Sequence, residues 1–527
     1  MNESLPNWQE LSLREAIGQM IVVRASGHLF DSQIRYPDWE PKFALLESWI
    51  EDLNIGGVIL LGASAPELYL RTQQLQKLAN IPLLIAADIE EGVGQRFAGA
   101  TWFPPPMSLG AIARQDLDLA RNFAQDLGEI TARESIALGI NWILAPVADV
   151  NNNPDNPVIN IRAFGESPEL VSDLIVSFIE GTKKYAVLTT AKHFPGHGDT
   201  EVDSHLDLPI LEHSDERLTS LELLPFKRAI AAGVDSVMTA HLLISAWDKI
   251  LPVTLSEKIL KGQLRQRLGF TGLIVTDALV MAGVAQHTTP EEVAVMAIEA
   301  GADILLMPQN PQKTVAAIDA AVRSGRLSQE RIQESLVRIW QAKARVAKLS
   351  SNLAELASDR ATNCVDAILK NSLETGGSLP IVPVGSGGRN LILVDDATNC
   401  SETIARHNPA VAIPQQLGYQ PELFDSRTLI NFSEDSRPTL IQLFLRGNPF
   451  QKNLNSFYAD WLKKKLKNNS IQAFIIYGSP YTLQSIKQEI NLPWIFCYGQ
   501  MPQAQLSALG TLFDLSSFVN LNKEVFI

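Results

Sequence analysis

Uninterrupted runs of apolar residues recur along the first two thirds of the chain, separated by mixed polar stretches. Each run is continuous rather than alternating, which is typical of strands that are buried on both faces of a sheet. Eight such runs are present, at residues 20–25, 56–61, 82–88, 140–146, 186–193, 235–241, 272–277 and 302–308. The pattern therefore predicts eight buried strands.

Helical patterns lie between these runs. In "SPELVSDLIVSFIEG" at 167–181, apolar residues repeat on one helical face, and Ser167 suits the N-cap, Pro168 the first turn and Gly181 the stop. Residues 328–349 repeat the pattern. Strands that alternate with helices in this way predict an α/β fold with an N-terminal (β/α)8 TIM-type barrel, and a doubly wound sheet is the alternative.

The pattern changes after the barrel segment. Strand-like runs resume at the end of a polar, Gly/Pro/Ser-rich stretch and predict a smaller open α/β domain, with runs at 391–396, 439–447, 473–478 and 494–499. We predict a catalytic barrel domain over 1–350, a linker over 351–359 and a C-terminal α/β domain over 360–527. The loops of the last domain carry no Gly-rich phosphate motif and no tight group of histidines and carboxylates, so we expect no catalytic group there.

Composition narrows the class of protein. A chain of 527 residues with 46% hydrophobic and 19% charged residues is globular and too long for one core. Its 44 basic and 58 acidic side chains give a net charge of −14, which argues against nucleic acid as a partner. Three scattered cysteines, no leader segment and no long apolar run favour a cytoplasmic protein without membrane insertion. Nothing in the sequence indicates an oligomeric state.

Ionisable residues stand at the ends of several predicted strands. Asp88 ends the third run, Lys192 and His193 end the fifth, His241 the sixth and Asp277 the seventh. In a barrel, the C-terminal strand ends meet at one face, where active sites lie. Asp277 precedes a further apolar run, where an unpaired carboxylate is costly. His241 fits either a hydrogen-bonded core histidine or a site residue, and Asp88 alone would fit a turn carboxylate.

The stretch "HFPGHGDTEVDSH" at 193–205 concentrates histidines and aspartates on a loop. His193 and His197 have the spacing of a zinc-binding helix, but a proline and a glycine between them disfavour that helix. A structural loop with incidental histidines is a second interpretation. Acid–base chemistry is the third, because Asp203 is close enough to orient the His205 imidazole and favour its protonated form.

A longer stretch, "KHFPGHGDTEVDSHLDLP" at 192–209, resembles the signature of bacterial β-N-acetylglucosaminidases of glycoside hydrolase family 3. The likeness runs through residues 10–345 and includes "ADIEEGVGQRF", "APVADV", "NIRAFGESPELV" and "LIVTDALVMAG". The loop motif that ends in Asp-Ser-His is specific to this branch, whereas the other stretches are shared with β-glucosidases of the same family.

The resemblance implies a role for each matching residue. Asp277 matches the catalytic nucleophile, His205 the general acid/base and Asp203 its carboxylate partner. The positions that match residues holding the sugar in the −1 subsite are Asp88, Arg96, Arg162, Lys192 and His193. Two departures bear on substrate preference: Val93 stands where the family commonly has arginine, and Ala278 follows the nucleophile where aspartate is common.

The implied reaction is the retaining, exo-acting hydrolysis of a terminal β-linked N-acetylglucosamine. Asp277 forms a covalent glycosyl-aspartate, while His205 protonates the leaving oxygen and then activates water. No metal or organic cofactor is implied, and the partner is a carbohydrate with a terminal N-acetylglucosamine. The alternatives are a β-glucosidase of the same family and a catalytically silent sugar-binding or scaffold protein. A muropeptide, a chitin fragment and a glycoconjugate all stay open as natural substrates.

Overall fold

A computed structural model of the chain describes residues 5–200, 208–281, 288–346, 352–398, 400–401, 403–432, 435–446, 454–465 and 470–515. The chain divides into two compact units. The first comprises residues 1–102, 118–153 and 163–361, and the second comprises 103–117, 154–162 and 362–527. The units therefore interleave along the chain, which the sequence did not predict, and the boundaries at 350 and 360 stay a prediction.

The first unit contains an eight-stranded parallel sheet. Its strands are Ile21–Ser26 (β1), Gly57–Leu61 (β2), Leu84–Ala87 (β3), Trp142–Ile143 (β4), Leu188–Phe194 (β5), Ser236–Thr239 (β6), Leu273–Thr276 (β7) and Leu305–Leu306 (β8). They pair in chain order, and β8 returns to β1. A bridge between Val275 and Ile304 links β7 to the residues before β8, so the sheet is nearly closed. Each strand falls within or beside a predicted run, and the barrel prediction is confirmed.

The register of the barrel determines which side chains face its interior. The Trp142 indole N–H donates to the Thr190 hydroxyl at 2.8 Å and also reaches Ser236 on β6, two strands away. Residues paired across parallel strands project to the same side. Ala86 pairs with Trp142, Ile59 pairs with Ala86, and Arg24 pairs with Ile59. Arg24 therefore projects into the barrel from β1.

One α-helix precedes β1, and the others lie between and after the strands. The α-helices span Leu13–Gly18, Phe43–Glu51, Ala65–Leu78, Met107–Ala113, Leu117–Leu138, Pro168–Thr182, Asp215–Ser220, Leu223–Ala231, Pro290–Ala300, Pro311–Arg323, Gln329–Val346, Asp359–Ser372, Pro409–Gln416, Leu454–Lys465, Tyr481–Ile486 and Pro502–Phe513. Residues Lys258–Arg267 form a π-helix, and residues Ile210–Leu211 pair with Leu243–Ile244 outside the barrel. None of the helices in the described ranges combines the length and the apolar character needed to cross a membrane.

The helix predicted at 167–181 begins as expected and ends differently. The Ser167 side chain accepts a hydrogen bond from the Leu170 N–H and caps the helix. The helix continues through Gly181 to Thr182, so Gly181 is not its stop. A Cβ at Gly181 would lie 2.1 Å from the carbonyl oxygen of Gln125. Glycine is needed there because another helix approaches closely.

The second unit contains an open six-stranded sheet. Its strands are Glu374–Gly376 (β9), Gly388–Val394 (β10), Tyr419–Phe424 (β11), Thr439–Leu445 (β12), Ile471–Gly478 (β13) and Trp494–Cys497 (β14). Their order is β9-β14-β13-β12-β10-β11, and β9 is antiparallel to its neighbour while the others are parallel. The open α/β prediction is confirmed. Met107 and Ile161 lie in the core of this unit, which explains why two early segments belong to it.

Candidate active site

Ionisable side chains gather where the barrel strands end. Asp88 follows β3, Lys192 and His193 lie at the end of β5, and Asp277 follows β7. The C-terminal ends of the barrel strands share one face. Asp88 lies two residues beyond the inward-facing Ala86, so it continues the interior side of the sheet.

The Lys192 ammonium joins two carboxylates. Its Nζ atom lies 2.7 Å from Asp88 Oδ1 and 2.6 Å from Glu90 Oε1. Lys192 and Glu90 are buried, whereas the Asp88 side chain is 36% exposed. The Arg96 Nε–H donates to the Asp88 backbone carbonyl at 3.0 Å and fixes the turn after β3. The triad carries one positive and two negative charges, and Asp88 presents oxygen atoms to solvent.

A second buried pair adjoins it along β5. The His193 Nδ1 atom lies 2.7 Å from Asp149 Oδ2, and the His193 backbone N–H donates to both carboxylate oxygens at 3.1 Å. The His197 N–H donates to the same carboxylate at 2.7 Å. Burial raises the pKa of Asp149, but the charges and hydrogen bonds of the two histidines outweigh it and leave the pKa below its ordinary value. Asp149 thus fixes the imidazole through Nδ1, which leaves Nε2 of His193 for a ligand.

His197 belongs to the same network but is unsuited to acid catalysis. Its Nδ1 atom lies 2.8 Å from the Thr200 hydroxyl, and its ring meets the His193 ring edge-on at 6.3 Å. Burial lowers the pKa of His197 to about 4, and the charge of His193 adds to this effect while Asp149 and Asp277 oppose it. His197 is therefore neutral at pH 7.

Backbone hydrogen bonds hold Asp277, and a buried histidine contacts the next residue, Ala278. The Asp277 N–H donates to the Thr239 carbonyl at 3.2 Å, and its Oδ1 atom accepts from the Ala278 N–H at 2.7 Å. The His241 Nδ1 atom lies 2.8 Å from the Thr254 hydroxyl, and its Nε2 atom lies 3.1 Å from the Ala278 carbonyl oxygen. His241 is fully buried. His241 is thus a hydrogen-bonded core histidine, and it contacts the peptide next to Asp277. Whether it also acts as a site residue stays a prediction.

Three further residues belong to the predicted site: Asp203, His205 and Arg162. Asp203 and His205 fall within 201–207, outside the described residues. Arg162 ends the 3-10 helix Asn160–Arg162, where its Nη1–H donates to the Val158 carbonyl at 3.1 Å. That segment belongs to the second unit. The structure thus brings together Asp88, Arg96 and Lys192, and it places His193 at the end of β5 and Asp277 after β7, with β6 between these strands. The roles of these residues stay predictions.

One group among the described residues has the spacing of metal ligands. The ligand atoms of Asp199, His213 and Glu222 lie within 4.8 Å of one another. Arg217 already bridges the two carboxylates, at 3.0 Å from Asp199 and 2.8 Å from Glu222. We interpret the group as an ion-pair network that anchors Asp199, because the Arg217 guanidinium already pairs with both carboxylates.

Comparisons with known proteins identify the family of the chain. The family model "Glycosyl hydrolase family 3 N terminal domain" matches residues 12–342, and "Bacterial Glycosyl hydrolase family 3 C-terminal domain" matches residues 384–514. The chain is 35% identical over 340 residues to "Beta-hexosaminidase A" of Pseudoalteromonas piscicida, covering 59% of this chain and 56% of that protein. It is 34% identical over 302 residues to "Beta-N-acetylglucosaminidase/beta-glucosidase" of Cellulomonas fimi, covering 55% and 52%.

Both alignments span little more than half the length of these relatives. Among solved structures, a glycoside hydrolase family 3 β-N-acetylglucosaminidase from Paenibacillus sp. str. FPU-7 is similar with a TM-score of 0.79 and 30% identity, covering 96% of this chain and 97% of that one. The first family model alone covers more than half of the present chain. The barrel with its strand-end carboxylates and the two matched family models therefore establish that this chain belongs to glycosyl hydrolase family 3.

Proposed function

We propose that the chain is an exo-acting, retaining β-N-acetylhexosaminidase that releases terminal β-linked N-acetylglucosamine. The observation that carries the proposal is the position of Asp277 after β7, on the same barrel face as the Lys192–Asp88 pair. The names of the relatives support the choice of sugar. Family membership supports the choice of reaction.

The binding half of the site suits a sugar that becomes positively charged. Lys192 donates hydrogen bonds, and the exposed Asp88 oxygens accept them, so neighbouring hydroxyl groups of one ring find complementary partners. Asp88, Glu90 and Lys192 set two carboxyl groups against one amino group. Such a group stabilises the oxocarbenium-like transition state of glycoside hydrolysis more than the neutral substrate.

Asp277, His205 and Asp203 carry out the proposed reaction. The Asp277 carboxylate attacks the anomeric carbon as the bond to the leaving oxygen breaks, and protonated His205 gives its proton to that oxygen. A glycosyl-aspartate forms. Neutral His205 then takes a proton from water, which attacks the anomeric carbon and releases both the sugar and Asp277. Asp203 orients His205 and stabilises its protonated form.

The contacts of three described histidines bear on the assignment of the acid/base. His197 is neutral at pH 7 because burial lowers its pKa to about 4. His193 is held by Asp149 through Nδ1, and His241 has both ring nitrogens engaged by Thr254 and the Ala278 carbonyl. The assignment of His205 as acid/base is consistent with these contacts.

A substrate comparison tests the proposal. The full chain is assayed with p-nitrophenyl N-acetyl-β-glucosaminide and p-nitrophenyl β-glucoside in phosphate-free buffer, with Asp277→Ala as the inactive control. We expect a higher kcat/KM for the N-acetylated substrate and free β-N-acetylglucosamine as the first product by NMR. A preference for the glucoside would favour the second activity named for the Cellulomonas fimi relative. An α-configured first product, or no turnover of either substrate, would contradict the proposal.

A further inference from the structure

Three large aromatic side chains stand exposed on the loop that follows β1: Phe30, which is 68% exposed, and the pair Tyr36 and Trp39. Trp39 is 48% exposed and Tyr36 is 39% exposed. Their ring centroids lie 6.0 Å apart with an angle of 21° between the planes, so they form one offset, nearly parallel pair. Contiguous exposed apolar surface marks sites that bind ligands, proteins or membranes.

The pair is fixed from the protein side by a cation. The Arg24 guanidinium lies 4.8 Å from the Tyr36 ring centroid and 5.4 Å from the Trp39 ring centroid. The Arg24 Nε–H donates to Glu40 Oε1 at 3.2 Å, and Glu40 is itself buried. The rings are thus held in position before any ligand arrives, which lowers the entropy cost of binding.

The loop is also anchored near both of its ends. His28 Nδ1 lies 3.0 Å from Glu67 Oε2, and the Leu29 N–H donates to the other oxygen of the same carboxylate at 3.0 Å. At the far end, the Phe43 N–H donates to Asp31 Oδ1 at 2.9 Å. These contacts tie the loop to the helix Ala65–Leu78 and to its own N-terminal half.

The register places the aromatic pair at the catalytic end of the barrel. Arg24 projects into the barrel in the same ring of residues as Ile59 and Ala86, and Asp88 follows two residues after Ala86. The Arg24 side chain can meet Trp39 only if the loop turns back over the interior of the barrel. The loop leaves the C-terminal end of β1, which is the end where Asp88 meets Lys192.

We propose that Tyr36 and Trp39 form a subsite for the leaving-group sugar, so that the substrate is an oligosaccharide rather than a glycoside of a small alcohol. This inference rests on the proposed function. A pyranose ring with equatorial substituents presents apolar C–H groups to a flat aromatic face, and its hydroxyl edge can bond to the Tyr36 hydroxyl and the Trp39 indole N–H. A stable protein partner buries about 1,200 Å² or more in total, which the three exposed rings of this loop do not supply by themselves.

The test uses two substrates that share the same bond and differ in the leaving-group ring. N,N′-diacetylchitobiose has a sugar as its leaving group, and methyl N-acetyl-β-glucosaminide has methanol. We expect Trp39→Ala to lower kcat/KM for chitobiose by about tenfold, the effect of one stacking contact, and to change the methyl glycoside less than twofold. Tyr36→Ala should act in the same direction, and Trp39→Phe should keep most of the chitobiose activity.

The control variant is Phe457→Ala, which removes a 42% exposed aromatic ring from the second unit and should alter neither substrate. An equal loss on both substrates would overturn the inference, since it would mean that Trp39 acts on the catalytic residues through Arg24. A change of oligomeric state on size-exclusion chromatography in Trp39→Ala would also overturn it, in favour of an interface between copies. A wild-type chain that cleaves neither substrate would contradict the proposed function itself, and the subsite with it.

Discussion

Charged side chains are buried at both ends of the barrel, but their hydrogen-bond and ion-pair partners differ. At the C-terminal end, one ammonium group, Lys192, serves two carboxylates, and Asp88 keeps over a third of its side chain exposed. At the N-terminal end, Asp303 is completely buried, and its carboxylate accepts hydrogen bonds from groups at 2.6 to 3.5 Å: Arg265, Arg331, Arg338, Ser335 and the Ile274 N–H. One network is open to a ligand, and the other is saturated.

The sign of the excess charge differs as well. The N-terminal network sets three guanidinium groups against one carboxylate. Burial lowers the pKa of Arg265 to about 10, and the charges of Arg331 and Arg338 add to the effect, although Arg265 stays protonated at pH 7. The C-terminal triad has a carboxylate in excess. A saturated network contributes to fold stability, whereas an open network with spare acceptors binds a substrate that gains positive charge.

The sharpest test of this difference is Asp277→Ala. The variant should lose turnover of every β-N-acetylglucosaminide by at least about 10⁴-fold, because no other side chain forms the glycosyl bond. Its melting temperature should stay close to that of the wild type, since Asp277 is only partly buried. Steady-state kinetics measures the loss of turnover, and calorimetry on the same preparation measures the melting temperature. Residual activity within about 100-fold of the wild type would mean that Asp277 is not the nucleophile.

His205→Ala should have a smaller effect that depends on the leaving group. Poor alkoxide leaving groups should suffer by about 10²–10⁴-fold, because they need the proton. Nitrophenolate leaves without it, so the glycosyl-enzyme should accumulate as a burst, and azide should partly restore turnover. Asp203→Ala should show a milder form of the same defect. A uniform loss on all leaving groups, without burst or rescue, would exclude His205 as the acid/base.

Whether a strand could be predicted from the sequence depended on how deeply it is buried. All eight barrel strands could be predicted because each is apolar on both faces. The edge strands β9 and β11 could not, since edge strands face solvent and β11 contains the exposed Pro421.

The site shows a similar limit. Strand-end position identified Asp88, Lys192 and Asp277, because barrel geometry maps the end of each run to one face. Asp149 was missed as a partner of His193 because it lies 44 positions away, beyond the end of its own strand. Asp149 lacks the strand-end position from which Asp88, Lys192 and Asp277 were predicted. No local pattern in the sequence encodes a contact that depends on the register of two strands.

A matched pair of substitutions separates the two ends of the barrel. Asp303→Asn should destabilise the fold by about 3–5 kcal/mol, because it leaves buried guanidinium groups unpaired, and should spare kcat/KM of the folded fraction. Asp88→Asn should lower kcat/KM by about 10–100-fold, the effect of a charge-assisted hydrogen bond, and should cost little stability. Urea denaturation and kinetics on both variants give the comparison. If Asp88→Asn lost as much stability as Asp303→Asn, the two networks would not differ in their contribution to the fold.

The smallest expected effect concerns Lys343, a second buried charge at the N-terminal end of the barrel. Its Nζ donates to two neutral oxygens, Gln19 Oε1 at 2.7 Å and the Pro82 carbonyl at 2.6 Å. Burial lowers the pKa of Lys343 from 10.5 to about 7. Between these values the unfolded chain binds more protons than the folded chain, so this group makes wild-type stability rise with pH.

Lys343→Met removes that dependence. The stability of the variant minus that of the wild type should therefore fall as pH rises from 7 to 10, by at most about 1.4 kcal/mol per pH unit. Below pH 7 the difference should be constant, because Lys343 is then protonated in both states. Urea denaturation at pH 6, 7, 8, 9 and 10 measures it, and Lys313→Met, at an exposed helical position, should show no such slope. If the stability difference between Lys343→Met and the wild type did not change with pH, the pKa of Lys343 would be the same in the folded and the unfolded chain. The N-terminal end of the barrel would then hold the ammonium group charged, as an ion pair would.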